Sequence, residues 1–541
     1  MTTSVRIKLT SDNGSNESLI LETLKKSGTV KHLTIVSNNF DLRSDFTTAM
    51  SAASGAQLQS ISFNSLKIGN WSTVLIESTT QNRKLEIHMH MCEISESAAS
   101  ALRCALQTNI IKQLHVNRCS FPTELIQEIS SGLRNTESLV TLSLACLRGP
   151  FSSGLRGPLS TLIQDICLMI RRNAALSDLR LIDMDLKDDD LSFITRAIEG
   201  HQTLVSLDVS SNQFGAPGIM DLLTMTILVP TLLEVNLGCC GLDSEALAIL
   251  ATHLVGNKTV QKLDLAGGEI DDASAILFCT LLRGNEVLKT LKVGDCDLSS
   301  AGFTSIVAGL ASNVALDEFV AYENPRIDSS ALETYLELVR ANVGPTEVHL
   351  NITNPESADF SLVNDDLAAD FALALQRNTK LRRFTFGMVS LTGLRSIFNG
   401  LADMKLRELD VQCDYMDGFA SEDMARLLQS VKESTSICSL LVFEGDPIDA
   451  TTGEEDPLLE YYLKLNRAGR YVLKDSEACM PPSLWANHLS RSSDDPDILF
   501  YFLRMKPTLV GTTTWRESQV DQPNRSFAAN TYSARQRSLT V

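Results

Sequence analysis

Residues 232 to 259, LLEVNLGCCGLDSEALAILATHLVGNKT, change hydrophobic period once and then stop. Leu233, Val235 and Leu237 alternate with other residues, which predicts a strand, whereas Leu247, Leu250 and Leu254 fall at helical spacing. The next 28 residues begin VQKLDLAGGEIDDASAILFCTLLRGNEV, and the same apolar positions recur in the same order. One strand and one helix therefore form a repeated unit.

The frame reads L-x-x-L-x-L-x-x-(N/C)-x-L, then a polar residue able to cap a helix, an apolar helical face and an Asn. Its first apolar position falls at Leu176, Leu204, Leu232, Val260, Leu288 and Leu316, in steps of 28. The same step links Val30 to Leu58 and Ile111 to Leu139, and looser units start near Lys84, Pro345, Leu381, Leu406 and Ile437. About fourteen units of ~28 residues result.

These units resemble leucine-rich repeats of the ribonuclease-inhibitor type. That resemblance implies an α/β solenoid, a horseshoe with a parallel concave sheet and outer helices. Independently, one strand and helix of this size cannot bury their apolar faces alone, so units must stack. Leu207 with Val209, and Leu263 with Leu265, are expected inward, and their alternates outward.

Four segments are expected: an N-terminal capping strand and helix (1–29), the repeats (30–455), a helical capping segment (456–510) and a disordered tail (511–541). The third contains LNRAGR and PPSLW, and resembles the segment that follows such repeats in proteins of diatoms and related algae. An aromatic-rich segment there most simply covers the open end of the last repeat, with a second interaction module as the alternative. The tail lacks apolar periodicity. Three insertions interrupt the array, near RGPFSSGLRGP at 148–158, TNPESADFSLVNDD at 353–366 and FEGDPIDATTGEEDP at 443–457.

Composition narrows the function class. Hydrophobic residues make up 44% of the chain but aromatics only 6%, which suits thin repeated layers of Leu, Ile, Val and Ala. The formal charge of −19 argues against nucleic-acid affinity, which needs clustered Lys and Arg. No stretch has the pattern of a signal peptide or a membrane-spanning helix, so a cytoplasmic or nuclear protein is expected.

Twelve cysteines are too few for a disulfide framework. Cys92, Cys119, Cys240 and Cys296 occupy the slot that Asn38, Asn212 and Asn324 fill in other units, and are expected to be reduced and buried. No phosphate-cradling G-x-x-x-x-G-K-[ST] and no H-E-x-x-H or G-x-S-x-G appears. His88 and His90 alternate along one strand, and an exposed strand pair is preferred over a metal site. No enzyme activity, catalytic residue, metal or cofactor is therefore expected.

The outward strand positions vary from unit to unit while the inward ones hardly change. The expected partner-binding residues on this concave face are Arg180, Asp208, Glu234, Asn236, Lys262, Asp264, Lys292, Glu318 and Tyr322. Small residues at Gly238, Ala266 and Gly294 are expected to admit a partner closely. A monomer binding a protein partner, with no nucleic acid and no membrane, is the resulting expectation. The family resemblance adds two alternatives, a GTPase-activating regulator of a Ran-like small GTPase and a nuclease inhibitor.

Overall fold

The structure, a computed structural model, describes residues 3–9, 30–37, 59–65, 67–68, 84–120, 123–147, 156–226, 229–350, 363–413, 420–444, 457–473, 489–490 and 495–505. The expected helix within 10–29, Asn38, Trp485 with its PPSLW motif, the tail from 511 and most of the three insertions lie outside them. The chain divides into two compact units, 1–326 and 327–541. The repeat period gives no sign of that division.

In the first unit the strands are β1 (Thr3–Leu9), β2 (Val30–Ser37), β3 (Ser60–Asn64), β4 (Lys67–Ile68), β5 (Leu85–His90), β6 (Glu93–Ile94), β7 (Ile111–Asn117) and β8 (Thr141–Ala145). They continue with β9 (Asp178–Ile182), β10 (Ser206–Asp208), β11 (Glu234–Asn236), β12 (Lys262–Asp264), β13 (Thr290–Lys292) and β14 (Glu318–Val320). All pair parallel with the strand of the next repeat, β1 through β14, except β4 and β6, which pair with each other. Between strands lie α1 (Glu96–Gln107), α2 (Thr123–Arg134), α3 (Arg156–Arg172), α4 (Asp188–Ile198), α5 (Ala216–Thr226), α6 (Ser244–Leu254), α7 (Asp272–Gly284) and α8 (Ser300–Leu310). Strand and helix thus alternate as in a leucine-rich-repeat solenoid.

The inward layer is dry. Leu207, Val209 and Leu265 have no exposed surface and Leu263 has 2%. Each such side chain contributes about 1.5–3 kcal/mol by leaving water. Helices start where the frame places a capping residue: Asp243, Asp271 and Ser299 accept from the N–H groups of Ala246, Ser274 and Gly302 at 2.8, 2.7 and 3.0 Å. These bonds satisfy donors that a helix start leaves open.

The Asn/Cys slot follows a left-handed residue at each strand end, with φ of +58° at Ser211, +54° at Cys239, +50° at Asp295 and +53° at Glu323. The Asn324 carboxamide accepts from the N–H groups of Cys296 and Leu298 at 3.0 Å each, and donates to the Val293 carbonyl at 2.9 Å. Asn212 repeats this pattern with Met184, Leu186 and Leu181. A thiol offers the donor but no comparable acceptor. Cys296 donates to the Leu265 and Gly294 carbonyls at 3.3 Å, and the Ile270 N–H turns to the Cys296 main-chain oxygen at 3.0 Å. Burial pushes the Cys240 and Cys296 thiols up to about 12, so they stay protonated and donate. No disulfide joins the cysteines among the described residues.

A second ladder runs past the helix ends. Asn285 donates to the Leu254 carbonyl at 2.7 Å and accepts from the Leu288 N–H at 2.8 Å, and Asn313 hands the pattern on by donating to Asn285 at 3.1 Å. Asn257, part of an N-x-T triplet, is a buried member that accepts from Val260. His201 takes the place of Asn in its unit, its Nδ1 accepting from Leu204 N–H at 3.1 Å with Nε2 3.0 Å from the Asn173 carbonyl.

In the second unit β15 (Glu347–Leu350), β16 (Arg383–Val389), β17 (Glu408–Cys413) and β18 (Ser439–Glu444) pair in order, all parallel. With them are α9 (Ser329–Ala341), α10 (Asp365–Arg377), α11 (Leu391–Gly400) and α12 (Ser421–Glu433). In its core Phe371, Phe384 and Phe386 cluster with ring centroids 4.8 to 5.9 Å apart, two pairs stacked and Phe371–Phe386 tilted. Helices α13 (Pro457–Arg467) and α14 (Pro496–Met505) follow, with Leu465, Ile498 and Phe502 forming their own small core.

The LNRAGR run has a role that its geometry explains. Asn466 donates to the Ser434 and Ile437 carbonyls at 3.2 and 2.7 Å, as a ladder Asn does, and Arg467 donates to the Cys438 carbonyl at 2.9 Å. Gly469, at φ +88°, reverses the chain so that the buried Arg470 donates to the Val431 and Ser434 carbonyls at the end of α12. Its guanidinium also lies 5.2 Å from the Tyr462 ring. Among the described residues, no helix is long and apolar enough to cross a membrane.

Candidate functional site

Side chains alternate along a strand, so the residues opposite the helices stand in lateral rows fixed by register. One row runs Asp178, Ser206, Glu234, Lys262, Thr290, Glu318, and the next Arg180, Asp208, Asn236, Asp264, Lys292, Val320. Beyond β14 in its own repeat comes Tyr322. Eight of the nine residues expected from the sequence are set by register on neighbouring strands of the first unit, and Tyr322 follows β14.

Their charges are arranged against one another. Lys262 is 2.6 Å from Glu234, Lys292 is 3.4 Å from Asp264, and Arg180 holds Asp178 with two bonds of 3.0 and 2.7 Å. Thr290 donates to Glu318 at 3.1 Å and Ser210 to Asp208 at 2.6 Å. Asn236 and Asp264 accept from the N–H groups of Gly238 and Ala266 at 2.9 and 3.1 Å. Exposed pairs of this kind contribute little to stability, on the order of 0–1 kcal/mol each, and leave the face ordered. Five carboxylates (Asp178, Asp208, Glu234, Asp264, Glu318) stand against three cations (Arg180, Lys262, Lys292), so the face is acidic.

Gly294 does not admit a partner as expected. A Cβ built there would lie 2.8 Å from the Tyr322 ring, so the space above Gly294 is taken by this chain's own aromatic. Partial burial and the nearby Asp264 raise the Tyr322 hydroxyl above its ordinary range.

Toward the N-terminal side the face changes character. His88 on β5 and His115 on β7 stand in register and stack, with ring centroids 4.5 Å apart and planes 6° apart. His90 lies near Asn64, 3.4 Å from its oxygen, rather than joining His88 at a common ligand position. Burial lowers the His88 pKa; burial, then His88 and Arg180, bring His115 down to about 4. Both rings are therefore neutral at physiological pH. His115 was not expected at the site, whereas Asp178 falls on the outward strand face that the repeat frame predicts. His115 lies 27 residues after His88, nearly one unit, and that spacing was the signal available.

Comparison with known proteins agrees with the repeat architecture. The family described as "Leucine Rich repeat" matches residues 200–223 and 256–279. Similar proteins include NACHT, LRR and PYD domains-containing protein 5 of Mus musculus, 24% identical over 266 residues, covering 48% of this chain and 22% of that protein. NACHT, LRR and PYD domains-containing protein 12 of Homo sapiens is 26% identical over 236 residues, covering 43% and 21%. The chain thus spans about a fifth of the length of these two relatives. Among solved structures, the Rad7 and Elc1 complex of yeast aligns at 13% identity and TM-score 0.36 over 64% of this chain and 86% of that one. An internalin from Listeria monocytogenes aligns at 14% and 0.35 over 74% and 94%.

Proposed function

We propose that this leucine-rich-repeat protein is a non-catalytic scaffold that holds a folded protein partner on the outward sheet face of its first unit. The observation that carries the reading is the pairing of a nearly invariant apolar layer with a variable, laterally ordered polar face. A repeated scaffold presents such a face from many units at once, and it is large enough for a folded surface. The excess of carboxylates over cations fits a partner whose contacting surface is basic. The likeness to proteins whose names include leucine-rich repeats supports an interaction role, while fold alone does not fix a partner.

The test is affinity capture from cells of the source organism with the intact chain and with a variant carrying Asp264, Lys292, Glu318 and Tyr322 all replaced by Ala. Central charged and aromatic residues dominate such interfaces, so binding should weaken by on the order of 2 kcal/mol or more while the fold persists. Capture that survives this change but fails when residues 148–158 or 456–510 are altered would contradict the reading. Recovery of a small GTPase whose GTP turnover rises on adding the chain would replace it with the regulatory alternative.

A further inference from the structure

The stacked His88 and His115 rings show how this sheet spaces planar groups. They stand on adjacent strands, and their 4.5 Å centroid separation is close to the ~4.8 Å between neighbouring strands. His88 covers one face of the His115 ring, so the other face looks toward β8. The residue in register there is Ser143, and the next, on β9, is Arg180. The small Ser143 side chain thus stands between the two, and two strand steps set the His115 and Arg180 backbones about 9.6 Å apart. One planar group in van der Waals contact on both sides needs roughly 7 to 8 Å.

Both walls are held. Asp178 fixes the Arg180 guanidinium through two bonds, at 3.0 and 2.7 Å, and His115 is braced by His88 and lies 3.5 Å from the Gln113 side-chain oxygen. We propose that the gap above Ser143, walled by the His115 imidazole and the Arg180 guanidinium, is a subsite for one aromatic side chain of the protein partner. The proposal rests on the scaffold reading and specifies its chemistry on β7 to β9. An aromatic ring stacks on the imidazole and offers its negative face to Arg180. A partner arginine has the right shape, but Arg180 repels it. An aliphatic side chain leaves both planar walls poorly matched.

The probe is N-acetyl-L-tryptophanamide, titrated into the full chain labelled with ¹³C at histidine Cε1 and followed by NMR at neutral pH. The signals of His115 and His88, assigned with His115→Gln and His88→Gln, should shift together and saturate at a concentration on the order of 1 mM. His253, on the helical side, should not move. Ser143→Trp should fill the gap from within and abolish the titration. Arg180→Gln should weaken it about two- to fivefold, and serves as the deciding variant if Ser143→Trp folds poorly. Lack of a saturable shift, or an undiminished shift in either variant, overturns the subsite. So does adenosine monophosphate shifting the same signals at lower concentration, which would make the occupant a nucleobase. Because this titration needs no partner, its failure leaves the scaffold reading standing, and failure of partner capture leaves the subsite standing.

Discussion

The Tyr322 ring lies over Gly294, so close that a single added carbon at 294 would stand 2.8 Å from it. The glycine is therefore half of an aromatic seat within the chain, and its smallness serves Tyr322 before it serves any partner. Gly294→Ala should leave the fold cooperative, with a loss under about 1 kcal/mol, because the ring can swing into solvent. The Tyr322 hydroxyl should then titrate closer to its ordinary range, since burial is the first cause of its elevation. Ultraviolet difference titration against Tyr322→Phe checks this. An unchanged titration would show that the ring never rested on residue 294.

The two occupants of the Asn/Cys slot should differ in what they contribute. Asn324→Ala leaves the N–H groups of Cys296 and Leu298 without their acceptor. At about 1–3 kcal/mol for each of these two buried unsatisfied groups, a loss of roughly 2–6 kcal/mol is expected. Cys296→Ala should cost about 1 kcal/mol, since it removes only weak thiol donors and a little volume. Hydrogen exchange localises the effect: the amides of Cys296 and Leu298 should exchange faster in the first variant, and equal losses in both would contradict this account of the slot.

The left-handed strand ends make a third comparison. Glu323, at φ +53°, carries the steric penalty of an L side chain in that region, so Glu323→Gly should be neutral or stabilising by up to about 1 kcal/mol. Gly267, at φ +77°, has the Cys239 Cα 3.1 Å from where a Cβ would sit. Gly267→Ala should destabilise by about 1–2 kcal/mol. Denaturation midpoints of the two variants should move in opposite directions or differ by that sum.

The histidine pair sets a pH dependence. Both rings have lowered pKa values in the folded chain, His115 down to about 4, so the folded state favours their neutral forms. The unfolded chain takes up these protons near pH 6.5. Stability from the pair is thus complete above about pH 6.5 and is lost as pH falls from there toward about 4, where His115 also protonates when folded. Because the rings are partly exposed, the loss is discounted for solvent to roughly 1 kcal/mol. His115→Gln should flatten the melting temperature over this interval, and a slope equal to that of the unaltered chain would be inconsistent with it.

The strand and helix of each unit were legible because their two apolar periods follow from one repeated burial problem. Leu207 and Val209 could be placed inward for that reason alone. Lateral relations were legible only where the step is a steady 28, as from Arg180 to Tyr322. The His88–His115 stack falls in the looser region, where a one-residue slip in register reverses the face that a side chain occupies. The ion pairs on the face required register and rotamers together. In LNRAGR, the composition suggested a cap, but the continuation of the asparagine ladder by Asn466 shows only when the Ser434 and Ile437 carbonyls are beside it.

The most direct test of the scaffold reading is the dissociation constant of the captured partner measured against two sets of charge reversals. Asp264→Lys with Glu318→Lys alters the sheet face, whereas Glu245→Lys with Glu286→Lys changes the charge by the same amount at exposed positions off the strands. A partner held on the sheet face should bind at least about thirtyfold more weakly to the first variant, which corresponds to 2 kcal/mol, and within about threefold of normal to the second. Equal weakening in both would mean that only the overall charge matters, and no weakening in the first would mean that the partner binds elsewhere.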